Sequence, residues 1–244
     1  MEQMQAWYGS PLGERVAAAE ERALADAVSD LHQGSLVRVG PGRQPLPVSP
    51  GLRQWQVGAG GADATARLEQ LPLRRESVEV LILSHALELA SEPLECLAEA
   101  CQAVRADGRL LILTFNPLGL WGTARLWGRM RSAASPWRGA QWPASSIGVH
   151  LRRHGFVAWR VRYLVFRPPL ERPRFQNRVD SWEDVLRRMG RLSAGVQLVV
   201  AHRRELVPTQ GLRSGAQDPA YPVSGAVGAA CAGSACGVPA QGGA

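Results

Sequence analysis

A glycine pair, a serine–histidine pair and an asparagine, each just past a run of β-forming residues, are the positions where chemistry is expected in this sequence. SLVRV (Ser35–Val39) stops at Gly40-Pro41-Gly42. Open α/β sheets place ligand loops where a strand closes on glycines, since backbone without a Cβ can approach a bound group. The plainer alternative is an ordinary strand-to-loop turn. VEVLIL (Val78–Leu83) ends at Ser84 and His85, at the same kind of carboxyl edge, where Ser84 would border a ligand and His85 would serve as a general base. Otherwise Ser84 caps the following turn and His85 packs beneath it. Asn116, just past the run Arg109–Thr114, either offers its amide to a polar group of a substrate or is a turn residue before Pro117. Between Leu118 and Met130, Leu120, Trp121, Ala124 and Trp127 share one helical face beside Arg125 and Arg129. Such a face caps a substrate pocket with Trp121 against the substrate, touches a membrane surface, or packs on the core. Trp137 and Trp142 carry the aromatic content into a loop, which favours a lid.

The elements that must hold these positions follow from periodicity. Pro11 to about Leu31 reads as a helix with Ser10 as N-cap, apolar residues at three- and four-residue steps, and Gly34 as its stop. Prolines 45, 47 and 50 leave no room for a normal helix after the glycine turn, and Gln54–Val57 is a second short strand. The nearly continuous apolar run Val78–Leu83 suits a strand buried on both faces, as parallel sheets require. Pro93–Val104 is amphipathic, with Leu94, Leu97, Ala98, Cys101 and Val104 on one face and Gly108 expected to end it in the left-handed conformation. With the strand Arg109–Thr114 this makes a βαβ unit. Phe156–Phe166 and Val196–His202 are further strands, with a helical segment Trp182–Met189 between them.

Composition narrows the classes. The chain has 244 residues, 45% of them apolar, enough for one sizeable core. Its organisation reads as an N-terminal helical segment over 1–33, a single α/β domain over 34–207 and a disordered tail over 208–244, rich in Gly, Ala, Ser and Pro. No segment has the length and apolarity of a membrane span or signal peptide, which points to the cytoplasm. Cys96 with Cys101, and Cys231 with Cys236, have a spacing that fits neither a CxxC redox motif nor a usual zinc knuckle, so no metal is expected. The formal charge is +7, but the basic residues are all arginine and are scattered, which reads as a solvated surface and no specific nucleic-acid partner.

With these residues laid out, the stretch Leu71–Asn116 resembles the later half of a class I S-adenosylmethionine-dependent methyltransferase of the type 11 kind. Leu71-Pro72-Leu73 stands where that family has Leu-Pro-Phe, Glu79 where it often has Asp, and Ala106-Asp107-Gly108-Arg109-Leu110 where it has Pro-Gly-Gly-x-Leu. The resemblance implies a Rossmann-like α/β fold, a mostly parallel sheet flanked by helices with its last strand antiparallel, and S-adenosylmethionine as cofactor. It places Gly40 and Gly42 beside the cofactor, Leu68 and Glu69 near its adenine, and Ser84 with His85 next to a small or unidentified methyl acceptor.

The amino-terminal half departs from that pattern. Arg38 stands where the family has an acid that supports the cofactor's methionine end, and Gln44 replaces the third glycine. No acid ends the second strand, and Asp63 is the first carboxylate beyond it. Two functions therefore stand side by side: a methyltransferase acting on an unidentified acceptor, and a catalytically inactive methyltransferase-like binding or regulatory module. A weaker third is an accessory protein that binds anionic surfaces through its arginines.

Overall fold

The computed structural model describes residues 2–41, 46–58, 62–126, 139–166, 186 and 188–204. Gly42, Gln44, Trp127 and Trp137, most of the helical segment expected at Trp182–Met189, and the whole tail expected at 208–244 lie outside the described residues.

Helix α1 (Glu2–Tyr8) leads into α2 (Pro11–Val28), which starts as its sequence requires: Pro11 sits in the first turn and the Ser10 hydroxyl accepts the Gly13 N–H at 3.1 Å. The helix ends at Val28, capped by Ser29, ahead of the expected stop. Gly34 instead lies inside strand β1 (Gln33–Val39). Strands β2 (Gly51–Val57) and β3 (Val78–Ser84) follow, then the short helix α3 (Ala86–Leu89), α4 (Pro93–Ala103) and β4 (Val104–Phe115). Helices α5 (Leu120–Leu126) and α6 (Ala144–Arg153) precede β5 (Phe156–Leu164) and β6 (Val196–Arg203).

Among the described residues these form one six-stranded sheet in the order β2-β1-β3-β4-β6-β5. β2, β1, β3 and β4 run parallel, while β6, the last strand of the sequence, is antiparallel to both of its neighbours. The sheet is therefore mostly parallel with its last strand reversed, as the resemblance implied. Its two faces carry separate cores, because successive side chains of a strand point to opposite sides. Leu81, Leu83, Leu110 and Ile112 pack with Leu97 and Cys101 of α4 and Ile147 and Leu151 of α6. Val80, Ile82, Leu111 and Leu113 pack with Met4 and Tyr8 of α1 and Val16, Leu24 and Val28 of α2.

Gly108 does not end α4 in the left-handed conformation. That helix stops at Ala103 and runs straight into β4, and the left-handed residue is Asp107, with φ 61°. The register jumps between the Val78–Val104 and Val80–Arg109 pairs, so residues 105–108 are a bulge. Glycine is needed at 108 for room: a Cβ there would stand 2.7 Å from Val104 Cγ1 and 3.0 Å from the Glu79 carbonyl.

The arginines partly explain themselves here. A groove of about 1030 Å³ between the end of α2 and strands β4, β6 and β5 is lined by Arg109, Arg162 and Arg203 among others. Those three pair with Asp30, Asp26 and Glu76. No described helix is long and apolar enough to cross a membrane.

Trp121 is 1% exposed, stacked on Phe115 at 6.3 Å and edge-on to Trp7 at 6.4 Å, so the described part of the aromatic face packs on the core. Truncating a large buried aromatic costs about 3–5 kcal/mol through lost transfer energy and the cavity left behind. Trp121→Ala should lower the unfolding free energy by that order in urea denaturation, whereas a loss under about 1 kcal/mol would mark Trp121 as a surface residue.

Candidate functional site

The carboxyl ends of β1, β3 and β4 lie side by side in the sheet, which brings Gly40, Ser84, His85 and Asn116 to one edge. Gly40 has φ 104°, its N–H donates to the Val57 carbonyl at 3.0 Å, and a Cβ would stand 2.3 Å from the Ser84 carbonyl oxygen. Only glycine satisfies both the positive φ and this approach of two strand ends. Ser84 is fully buried, and its hydroxyl accepts a hydrogen bond from Arg38 Nε at 2.9 Å.

His85 is the residue of this edge with a carboxylate at each ring nitrogen. Its backbone is left-handed, φ 48°, an uncommon state for a residue with a side chain, fixed by its N–H on the Leu113 carbonyl at 3.0 Å. The ring has no exposure and lies 4.2 Å from the Phe115 ring centre. Nε2 stands 2.9 Å from Glu20 Oε1 on α2, and Nδ1 stands 3.4 Å from Glu88 Oε1 on α3. Burial alone would lower its pKa, but Glu20 first and then Glu88 outweigh it and raise the pKa to about 9. The raised pKa favours the protonated ring, which can direct an N–H at each carboxylate. Glu20 also accepts the Tyr8 hydroxyl at 2.8 Å, and Glu88 accepts the Phe115 N–H at 2.7 Å. Burial, followed by the charge and hydrogen bond of Glu20, pushes the Tyr8 phenol well above its ordinary pKa.

This geometry does not fit the general-base reading of His85. An enclosed ring with a carboxylate at each nitrogen leaves no free position for a substrate proton. Asn116 is equally committed: Nδ2 donates to the Arg191 and Ala194 carbonyls at 2.5 and 3.0 Å, and Oδ1 accepts the Leu118 N–H at 3.1 Å. Leu68 is buried in the core beside Leu71. Glu69 Oε1 accepts the Ser91 and Glu92 N–H groups at 2.6 and 3.3 Å, at the amino end of α4. Its own N–H and then those of Glu92 and Ser91 hold its carboxyl below the usual range. Asp63 returns to β2, accepting the Gln56 N–H at 2.7 Å. No group of His, Cys, Asp or Glu able to hold a metal occurs among the described residues.

Sequence reasoning missed Tyr8 and Glu20. The signal was present: Glu20 falls on the stripe Val16, Ala17, Ala23, Leu24, and an acid on a buried helical face is a pairing waiting to be found.

Residues 52–112 match the profile of a family described as "Methyltransferase domain", from β2 through most of β4. Two solved structures of S-adenosylmethionine-dependent methyltransferases superpose over nearly their whole length. One from Thermotoga maritima, described as a possible histamine N-methyltransferase, is 13% identical with a TM-score of 0.56, covering 83% of this chain and 96% of its own. One from Archaeoglobus fulgidus is 12% identical with a TM-score of 0.57, covering 82% and 97%. The chain has the class I methyltransferase fold. Phosphoethanolamine N-methyltransferase 2 of Haemonchus contortus, solved with S-adenosyl-L-methionine, shares this fold at 13% identity and a TM-score of 0.52, covering 76% of this chain and 52% of its own. No curated protein matches the sequence. The methyltransferase profile begins after Gly40, so the glycine turn is joined to it by the sheet order rather than by sequence similarity.

An imidazolium raised to about 9 stabilises the fold fully below its unfolded pKa near 6.5, and this contribution disappears as the pH climbs toward 9. Urea midpoints should therefore fall between pH 6.5 and about 9, and the fall should be shallower in His85→Gln. A midpoint that rises or stays level over this window in the native chain would mean that His85 is neutral.

Proposed function

We propose that the chain is an S-adenosylmethionine-dependent methyltransferase acting on a small or otherwise unidentified acceptor. The observation that carries this reading is the positive-φ Gly40 packed against Ser84 where β1 and β3 end, at the carboxyl edge of a methyltransferase-type sheet. Gly40, Gly42 and Ser84 border the cofactor's amino-acid end, and Leu68 with Glu69 lies toward its adenine. The bound cofactor supplies an electrophilic methyl group on a sulfonium. The protein's share of the chemistry is alignment, which needs no proton relay when the acceptor arrives as a nucleophile.

In this reading His85 is a positioning residue. Its two ion pairs hold α2 and α3 against the strand ends, so the amino-terminal helices stay closed over the edge. Asn116 and Trp121 shape the acceptor side by fixing the turn after β4.

A second reading, an inactive methyltransferase-like binding or regulatory module, draws on Arg38 in the usual acid's place and on the absence of an acid in β2. Calorimetric titration separates the two. Saturable binding of S-adenosylhomocysteine is expected, weakened about tenfold or more in Gly40→Val, whose side chain meets the Ser84 carbonyl. No heat at millimolar ligand would favour the module, and unchanged affinity in Gly40→Val would move the cofactor away from this edge.

A further inference from the structure

Arg38 is an unusual cation. It lies on the strand face of Leu36 and is 6% exposed. Its Nε donates to Ser84, its Nη1 is buried without a partner, and among the described residues no carboxylate reaches ion-pair distance of it. A guanidinium cannot shed its proton, so a buried one is stable only when its donors and its charge are answered. The carboxylates that act on the same cluster are already engaged: Glu20 by His85 and Tyr8, and Glu88 by His85 and the Phe115 N–H. Through Nε, Arg38 bonds Ser84, the residue whose carbonyl faces Gly40, which places its guanidinium beside the ends of β1 and β3.

We infer that Arg38 binds the carboxylate of the ligand's amino-acid end. The inference rests on the S-adenosylmethionine reading and deepens it. A planar fork of N–H donors matches a planar carboxylate. The same charge repels a ligand's ammonium and sulfonium, so the amino acid lies with its carboxylate toward β1 and its amine away. The family pattern, with an acid at this position, favours the opposite polarity. Replacing that acid by arginine therefore turns the amino-acid end around instead of abolishing the site.

The test compares ligands on the full chain by calorimetry. S-adenosylhomocysteine is set against its decarboxylated analogue, which keeps the amine, and against methylthioadenosine, which lacks the amino-acid end. The native protein should prefer the carboxylate-bearing ligand by about tenfold or more, the effect of a charge-assisted hydrogen bond. In Arg38→Met that preference should disappear while methylthioadenosine binds as before; Arg38→Lys, which keeps the charge but loses the fork, should fall between. If the native protein binds the decarboxylated analogue equally well, or Arg38→Met retains the preference, the inference is overturned while the cofactor reading stands. If no adenosyl ligand binds the native protein, the cofactor reading fails and takes this inference with it. Should Arg38→Met not fold, the ligand pair on the native protein decides alone.

Discussion

A histidine shut away from water with a carboxylate directed at each ring nitrogen constrains much of the surrounding molecule. Glu20 comes from α2, Glu88 from α3, and the ring from just past the end of β3, so the contact ties α2 and α3 to the carboxyl edge of the sheet. Burying any one of these charges alone would cost several kcal/mol. The two carboxylates answer the His85 charge and engage the Tyr8 hydroxyl and the Phe115 N–H, which makes this polar cluster tolerable within the apolar packing of Met4 and Tyr8, while Arg38 stands beside it with a buried donor unpaired. The strained backbone at His85 fits the same picture, since a left-handed residue persists only where its surroundings over-determine it.

Seen this way, the sequence's departures from the methyltransferase pattern belong together. Arg38 in the acid's place brings a buried positive charge to the strand end, and the carboxylate of Glu20 arrives from a helix outside the matched region. Glu79, where the family often has Asp, serves the opposite end of the sheet: it accepts the Ser35 N–H at 2.7 Å and pairs with Arg105 at 2.9 Å. The chain keeps the framework of strands and crossovers while carrying different charges at its carboxyl edge, as expected when function resides in sites grafted on a fold.

Strands were legible wherever burial on both faces left an unbroken apolar run, as in Val78–Ser84, and helices wherever the stripe was long, as in α2 and α4. The short helix α6 was missed because its buried stripe is little more than Ile147 and Leu151 among polar neighbours. At the site, position could be read but commitment could not. Ser84, His85 and Asn116 do fall at strand ends, yet whether their side chains face a ligand or the protein depends on partners distant in sequence. His85 and Glu20 are separated by 65 residues, and Asn116 and Ala194 by 78. Periodicity shows which face a residue occupies; it does not show what stands opposite.

The protonation state of His85 tests the account most directly. Nitrogen chemical shifts of the imidazole, assigned by comparison with His85→Gln, report it at neutral pH without reference to any ligand. The account predicts both ring nitrogens protonated at pH 7.5 and a midpoint near the raised value of about 9. A ring that is a neutral tautomer at that pH, or that titrates near the ordinary 6.5, would contradict the charged clamp and the architecture built around it.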